Sequence, residues 1–323
     1  MRIRSASAAV ILAVALVAGA TACSEGSPDS SSSSASVAPS DVAKSPEYQA
    51  ERTTALAQFP THPAQKVVAA SVPLAEVLWM LGVPLSGVPS TTTQQLPAAL
   101  DSVPRIGSTM SLDVEKIISI APDLVVAADG ARSMVDPALK SAAKPAAYLD
   151  TDSIDDLRFA VDVLATAFDK KDAGDKVLAG IDAHIAALTE ASEGKPQPKV
   201  LTLIGASDSF MVMSGDSFIG SLVAKAGADN IATSALHTTE TYTAVNLENI
   251  IAASPDVVLV LQSGDTAKAQ AAFDAEVAKN PAWQSLPAYK NKRIHVVDYS
   301  AFGYTSVSGL DKAVPTLSGL LYP

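Results

Sequence analysis

The sequence predicts an α/β fold with two similar lobes joined by one long helix. The first observation is a repeat, because SLDVEKIISIAPDLVVA (111–127) matches AVNLENIIAASPDVVLV (244–260) in its Glu, its two Ile and its Pro-Asp step. The second is that short apolar runs alternate with helical periodicity in both halves, which is typical of largely parallel sheets covered by helices. The third is a long helical segment, 171–192, between the two halves. We therefore expect a ligand site between the lobes.

The N-terminal segment predicts export and a lipid anchor. Residues 1–22 combine the basic MRIR with the apolar AAVILAVALVAGATA, which is typical of a signal peptide. Cys23 is the only cysteine, and the small residues before it resemble a bacterial lipobox, although Ala20 replaces the commoner Leu. The Ser-rich residues 23–41 predict a flexible tether. We expect a protein anchored by lipid at the extracytoplasmic face of the membrane; the alternative is an ordinary secretory signal with a free cysteine.

The elements of the first half follow from local patterns. In the extension 42–65, PEYQAERTTALAQF predicts a short helix that packs on the first lobe. The predicted N-lobe, 66–170, starts with the strand KVVAA and the helix PLAEVLWMLG, which Gly82 closes. Its further segments are the strand LSGV, the helix of the first repeat copy, the strands LVVAA and AAYLD, and a helix over 153–168.

The second half repeats this scheme. We expect a connecting helix over 171–193 and a C-lobe over 194–323. The C-lobe segments are the strand KVLTLI, the helices SFIGSLVAKAG and NLENIIAAS, the strand DVVLVL, the helix AKAQAAFDAEVAK, the strand RIHVVD and a last helix near 310–321.

Composition and motifs exclude several classes of function. The chain has 34 acidic and 23 basic residues, a net charge of −11, whereas nucleic-acid binding favours a basic face. No segment after the signal peptide is apolar enough to span a bilayer. Gly-x-Ser-x-Gly, P-loop and Gly-x-Gly-x-x-Gly patterns are missing from the sequence, so we expect no enzyme and no catalytic cofactor. The rival class is a lipid-anchored hydrolase, in which His237 or His295 would serve as the base.

From Lys66 onward the chain resembles the substrate-binding lipoproteins of iron-compound ABC importers. Three passages carry the resemblance: KVVAASVPLAEVLWMLGVPLSGV, VPRIGSTMSLDVEKIISIAPDLVVA and PAWQSLPAYKNKRIHVVD. The resemblance implies two Rossmann-like lobes on a rigid helical spine, the class III periplasmic-binding-protein type. It also implies a monomer that delivers haem or a ferric siderophore to an ABC permease dimer.

Within that class, GVPSTTTQQLPAALDSVPRIGSTMSLDVEKI is most similar to the Isd-type haem-binding lipoproteins. The Met at the place of Met110 binds the haem iron there, and a thioether is a suitable ligand for haem iron. The alternative is a Met that fills a gap in the core. In the C-lobe those proteins use a His as second ligand, where this chain has Ser263.

Other side chains are candidates for the ligand site. Tyr242, Tyr299 and Tyr304 could offer a phenolate to haem iron, and His237 lies in a loop that could face the cleft. Arg105 and Arg132 could meet ligand carboxylates. A ferric siderophore stays open as the cargo, because Arg and Tyr can bind its organic shell without an iron ligand. Four scattered histidines do not indicate a site for a bare metal ion.

Glu115 and Glu248 hold the same place in the two repeat copies. A capping role at the helix N-termini is one interpretation, since helix dipoles favour acids there. The family resemblance implies another, in which one Glu from each lobe docks on Arg residues of the two permease subunits. A two-fold partner would present the same basic pocket twice.

Overall fold

The computed structural model describes residues 45–206, 209–238, 240–244, 247–262 and 264–323. The predicted signal peptide (1–22) and tether (23–41) therefore lie outside the described residues, as do Cys23 and Ser263. The predicted α/β fold class is confirmed, because the described part of the chain forms two sheets with helices packed against them.

The strands and helices have the following bounds. The strands are β1 Val67–Ala69, β2 Leu85–Ser90, β3 Arg105–Ser108, β4 Ser111–Leu112, β5 Leu124–Ala128, β6 Ala146–Leu149, β7 Lys199–Ala206, β8 Ser209–Met213, β9 Asp229–Asn230, β10 Tyr242–Ala244, β11 Val257–Gln262 and β12 Ile294–Asp298. The helices are α1 Pro46–Leu56, α2 Val72–Met80, α3 Val114–Ser119, α4 Arg132–Ser141, α5 Ile154–Ala167, α6 Lys171–Ser192, α7 Phe218–Lys225, α8 Ile231–Ser234, α9 Leu247–Ala253, α10 Thr266–Lys279, α11 Pro281–Gln284, α12 Pro287–Lys290, α13 Tyr299–Phe302 and α14 Leu310–Leu321.

The first sheet has the strand order β4-β3-β2-β1-β5-β6. All its pairings are parallel except that of β3 with β4, which form an antiparallel hairpin. Because successive strand residues point to opposite faces, Val67 and Ala69 pack into the core that also contains α2, whereas Val68 packs with Ile117 and Leu139 on the other face. Both faces of this sheet are therefore buried, as parallel strands require.

The second sheet has the order β10-β8-β7-β11-β12, with β9 beside the first residues of β7. Strands β7, β11 and β12 are parallel, whereas β8 and β10 form an antiparallel edge. The sequence analysis did not predict this edge, although β8 contains the apolar run FMVM. The edge carries Met211 and the candidate ligand Tyr242.

Helix α6 lies between the two sheets along the chain and contributes to a core that includes residues of both. Its buried Ile181 and Leu188 belong to the same apolar cluster as Leu164 of α5 and Leu222 of α7. Gly174 of α6 lies so close to Ala165 that an added Cβ would come within 2.4 Å of the Ala165 Cβ, so this approach requires glycine. The exact lobe boundaries, 66–170, 171–193 and 194–323, stay a prediction.

The repeated segment has a common structural role in the two lobes. In each copy a short helix ends in a residue with positive φ, Ala121 at 52° and Ser254 at 53°, before the Pro-Asp step. The following Asp accepts a hydrogen bond from the backbone N–H at the start of the lobe's first strand, Asp123 from Lys66 and Asp256 from Lys199. The repeat therefore connects a helix to a strand and holds that strand against its neighbour.

The predicted N-terminal helix is also present, as α1. The Ser45 side chain caps it by accepting a hydrogen bond from the Tyr48 N–H at 3.1 Å. Tyr48 and Arg52 both donate hydrogen bonds to the Asp162 carboxylate of α5, at 2.9 and 2.7 Å. The extension is thus fastened to the first lobe. Among the described residues, none of the helices has the length and apolar character needed to cross a bilayer.

Candidate functional site

The carboxyl ends of the parallel strands in the two sheets face the same junction. Thr305, which follows β12 and α13, donates a hydrogen bond from its hydroxyl to the carbonyl of Thr151, which follows β6. A second, longer contact at 3.4 Å reaches the carbonyl of Asp152. We call the segments that follow β2, β3, β5, β6 and β12 the cleft edge, since binding sites of α/β proteins form beyond the carboxyl ends of strands.

Met110 lies at the tip of the β3–β4 hairpin, on the cleft edge. Strand pairing joins Gly107 to Leu112 and Ser108 to Ser111, so Met110 falls in the turn. Gly107 has φ +88°, and a Cβ there would come within 2.5 Å of the Ser111 carbonyl oxygen, so the hairpin depends on this glycine. The Met110 side chain is 84% exposed, which excludes its alternative role as a filler of the core.

The three candidate tyrosines come together in the C-lobe. The rings of Tyr299 and Tyr304 meet edge to face, with centroids 5.4 Å apart. Burial raises the pKa of Tyr299 well above its usual value, and the phenols of Tyr304 and Tyr242 raise it further. Burial also raises the pKa of Tyr242, followed by the effects of Asp152 and Tyr304. Tyr242 and Tyr299 are therefore protonated at neutral pH, and Tyr242 lies near the Asp152 carboxylate of the other lobe.

A polar pocket of about 480 Å³ adjoins the carboxyl end of β2. Its lining residues are Ser90, Thr91, Thr92, Gln94, Gln95, Leu96, Ala98, Asp101 and Arg105. Arg105 contacts Asp101 at 3.6 Å through Nη2, whereas its Nη1 is buried without a hydrogen-bond partner. The Oε1 atom of Gln94 is buried and unpartnered as well. Because unpaired buried polar atoms are unfavourable, both atoms are candidates for contact with a polar ligand group.

Arg132 has partners within its own lobe. Its Nε donates a hydrogen bond to Asp129 Oδ1 at 2.8 Å, and its guanidinium carbon lies 4.1 Å from the centre of the Tyr148 ring. The Asp129 carboxylate therefore neutralises much of its charge. The guanidinium group of Arg132 is therefore less available to a ligand carboxylate than that of Arg105.

Several carboxylates line the N-lobe part of the cleft edge after β6. Asp150 is exposed at the surface, but partial desolvation is the main cause that raises its pKa to about 6, and Asp156, Asp152, Asp129 and Glu51 add to the shift in that order. Partial desolvation and then Asp156 likewise raise the pKa of Asp152, which is also exposed at the surface. This side of the edge is negatively charged at neutral pH, so it disfavours anionic ligand groups.

Three histidines lie on other elements of the protein. The neighbour of His237, Thr238, donates its N–H to the Ala232 carbonyl, directly after β9, which pairs with the first residues of β7. His237 thus lies near the first residues of β7, five positions before Tyr242 in the chain. His184 of α6 contacts Asp311 at 3.2 Å, and His295 lies within β12. Within the described ranges, no group of three or more His, Cys, Asp or Glu side chains is arranged to hold a metal ion.

Glu115 and Glu248 occupy the first turns of α3 and α9, and both side chains are exposed. The cap of α3 comes from Asp113, whose Oδ1 accepts a hydrogen bond from the Lys116 N–H at 2.9 Å. Glu115 therefore does not supply the capping hydrogen bond. The corresponding residue of the second copy, Asn246, lies outside the described residues.

Sequence reasoning overlooked three residues near the cleft. Met134, in the first turn of α4, is 46% exposed, and Met211 of β8 is 43% exposed, so each presents a thioether to solvent. Glu76 is only 3% exposed in the middle of α2, where its neighbours are apolar. Glu76 could have been found from the sequence, because it is a charged residue inside the apolar segment PLAEVLWML. Nothing in the sequence around Met134 or Met211 distinguishes these two methionines.

The comparisons with known proteins agree with this geometry. The family model described as periplasmic binding protein matches residues 67–301. The high-affinity heme uptake system protein IsdE of Staphylococcus aureus (strain MRSA252) is 28% identical over 262 residues, which cover 80% of this chain and 87% of that protein.

Two solved structures have similar folds. An ABC transporter substrate-binding protein from Listeria monocytogenes EGD-e has a TM-score of 0.72 at 29% identity, and the match covers 81% of this chain and 99% of that one. The structure of S. aureus IsdE complexed with heme has a TM-score of 0.69 at 28% identity, covering 80% and 99%. The similarity thus extends over both lobes.

Proposed function

Because the chain belongs to the periplasmic binding protein family, we propose that it captures haem outside the cell membrane and delivers it to an ABC importer for iron acquisition. Relatives that span most of this chain are named for heme uptake, and one was solved with heme bound. The protein acts as a binding protein without catalytic turnover. Its two lobes comprise 66–170 and 194–323, with 171–193 as the connecting helix.

The observation that carries this proposal is the pairing of an exposed thioether with a group of phenols. Met110 projects from the N-lobe hairpin, and Tyr242, Tyr299 and Tyr304 lie together in the C-lobe. A thioether and a phenolate are both ligands for haem iron. Aromatic rings also pack well against a flat, largely apolar molecule.

In this proposal Met110 is the iron ligand of the N-lobe. The second ligand is a phenol of the tyrosine group, because Ser263 cannot supply an imidazole and the rings of Tyr299 and Tyr304 meet in the C-lobe. Arg105, with its unpartnered Nη1, binds a carboxylate of the haem side chains. Arg132 has a smaller part, since Asp129 and Tyr148 already hold it.

A ferric siderophore is the second candidate cargo. The unpartnered polar atoms of Gln94 and Arg105 favour a ligand with many polar groups, and the nearby hydroxyls could bind such a shell. This candidate requires no iron ligand from Met110 or from the tyrosines.

Delivery needs an anchor and a docking surface. We assign the anchor to acylated Cys23, so that Cys23→Ser should release the protein from membranes; unchanged membrane retention would contradict this assignment.

The monomer docks on the permease dimer through Glu115 and Glu248, one exposed acid from each lobe. Such charges mainly orient the partners, so salt should weaken the contact.

Titration of the purified protein tests the cargo. Haemin should produce a Soret band that saturates at one equivalent per chain, while a ferric siderophore should leave the intrinsic fluorescence unchanged. If the protein does not change the Soret band of haemin, and a ferric siderophore quenches the intrinsic fluorescence of the protein, the siderophore is the cargo.

A further inference from the structure

A buried carboxylate joins the two lobes beneath the candidate site. Glu76 belongs to α2, which directly follows β1, and its side chain is 3% exposed. Its partners are residues 306–308, which lie about 230 positions later in the chain, between α13 and α14. The contact therefore connects the first helix after β1 with the segment that follows the tyrosines.

Both oxygens of this carboxylate are satisfied by hydrogen bonds. Oε2 accepts from the Ser306 hydroxyl at 2.9 Å and from the Val307 N–H at 3.0 Å. Oε1 accepts from the Ser308 N–H at 3.0 Å and also from the Ser308 hydroxyl. A buried charge is tolerated only with such a set of donors. Because backbone N–H groups contribute, the bonds fix the position of the main chain as well as of the side chains.

This segment is continuous with the tyrosine pair. Tyr304 is followed by Thr305, whose hydroxyl donates to the Thr151 carbonyl, and then by the residues that bind Glu76. Tyr299 contacts Tyr304 ring to ring. The main chain that carries the two phenols is thus held to the N-lobe at its carboxyl end by Thr305 and by the Glu76 carboxylate.

We propose that Glu76 is a positioning residue: it sets the orientation of the lobes and thereby the distance between the C-lobe tyrosines and the N-lobe hairpin, without touching the ligand. An apolar side chain could fill the same space, but it would leave the N–H groups of Val307 and Ser308 unpaired. The part of this inference that concerns affinity rests on the proposed function, whereas the part that concerns lobe orientation does not.

The first experiment measures lobe orientation without any ligand. Spin labels at Lys116→Cys and Lys279→Cys, exposed positions of α3 and α10, report the interlobe distance distribution in a Cys23→Ser background. Glu76→Gln puts an amide donor opposite a backbone N–H, so the distribution should broaden or shift. Asp123→Asn is the matched control, because that carboxylate also accepts backbone N–H bonds but only within the N-lobe. It should leave the distribution unchanged.

The second experiment measures haemin affinity in a double-mutant cycle of Glu76→Gln and Tyr304→Phe. If Glu76 acts through the tyrosine segment, the single variants should each raise the Kd by about tenfold, and the double variant by much less than the product. Additive losses would overturn the positioning role. If wild-type protein does not bind haemin, the proposed function fails, and the spin-label distances alone decide the inference.

Folding of the variants is checked by their melting curves. If Glu76→Gln does not fold, Ser306→Ala combined with Ser308→Ala replaces it, since this pair removes two hydroxyl donors and keeps both backbone bonds. It should also broaden the interlobe distribution. An unchanged distribution in a folded variant would show that Glu76 has only a local structural role.

Discussion

The Asp123 carboxylate accepts a hydrogen bond from the backbone N–H of Lys66 at 2.9 Å. In return, the Asp123 N–H donates to the Lys66 carbonyl, also at 2.9 Å. In the second lobe Asp256 makes the same pair of bonds with Lys199, at 2.9 and 2.8 Å. The Pro-Asp step thus sets the register between the first strand of each lobe and its neighbour, which accounts for its repetition.

Replacement of either aspartate should lower the stability of the protein. Asp123→Ala and Asp256→Ala should each reduce the free energy of unfolding by about 1 kcal/mol, because one charge-assisted hydrogen bond near the surface is lost. Chemical denaturation measures this loss. Asp→Asn should recover part of the lost stability, since one side-chain oxygen remains. Equal stability of the Ala variants and the wild-type protein would show that the aspartates do not fix the strand register.

Met110→Ala should move the Soret band and weaken haemin binding without changing stability. The side chain is 84% exposed, so its truncation removes few contacts within the protein. The loss of a thioether ligand should raise the haemin Kd by about tenfold or more. Met134→Ala is the matched control, because that methionine is exposed on the same lobe. A Soret band that shifts only with Met134→Ala would assign the ligand to Met134.

Haemin affinity should increase with pH if a phenolate binds the iron. The pKa of Tyr299 and that of Tyr242 lie above the usual value, so these phenols are protonated in the free protein. Ligation then releases one proton, and the Kd should fall by about tenfold per pH unit between about pH 6 and 8. Each of Tyr242, Tyr299 and Tyr304 is replaced by Phe in turn. The variant that lacks the ligating tyrosine should show no dependence of the haemin Kd on pH, whereas the other two variants should retain it. A pH-independent Kd in wild-type protein would rule out phenolate ligation.

Asp150 should make the ligand-free protein less stable as the pH rises through about 6. Its folded-state pKa is raised to about 6 from 3.8, so the folded protein binds this proton more tightly. Its stabilising contribution is therefore complete below about pH 4 and is lost as the pH passes about 6. Asp150→Asn should melt at a higher temperature than wild type at about pH 7.5 and at the same temperature near pH 4. Asp172→Asn, on the exposed first turn of α6, controls for the loss of one charge.

Glu115→Ala and Glu248→Ala should reduce haem uptake by cells while leaving haemin affinity and melting temperature nearly unchanged. Both acids are exposed and lie at matching positions of the two lobes, so the double variant should be the most impaired. Asp172→Ala is the control for charge. Normal uptake by both variants, or a loss of haemin affinity instead, would show that the repeat only reflects a shared lobe fold.

Much of the fold was predictable because its signals are local. Alternating apolar runs and helical periodicity located the strands β1, β5, β7 and β11. Pro-Asp and Gly82 marked where helices end. These signals depend on residues a few positions apart, whose geometry the backbone itself determines. The antiparallel edge of β8 and β10 was missed, since pairing with neighbouring strands decides whether an apolar run such as FMVM of β8 forms a strand.

The site shows the same division between sequence and tertiary structure. The family resemblance selected Met110, and residue type made the tyrosines possible ligands, because thioethers and phenols can bind haem iron. Only the tertiary structure decided that the tyrosines meet and that Glu76 binds a segment about 230 residues away. Such relationships arise from the packing of whole elements, and a pattern of neighbouring residues carries no information about a distant partner.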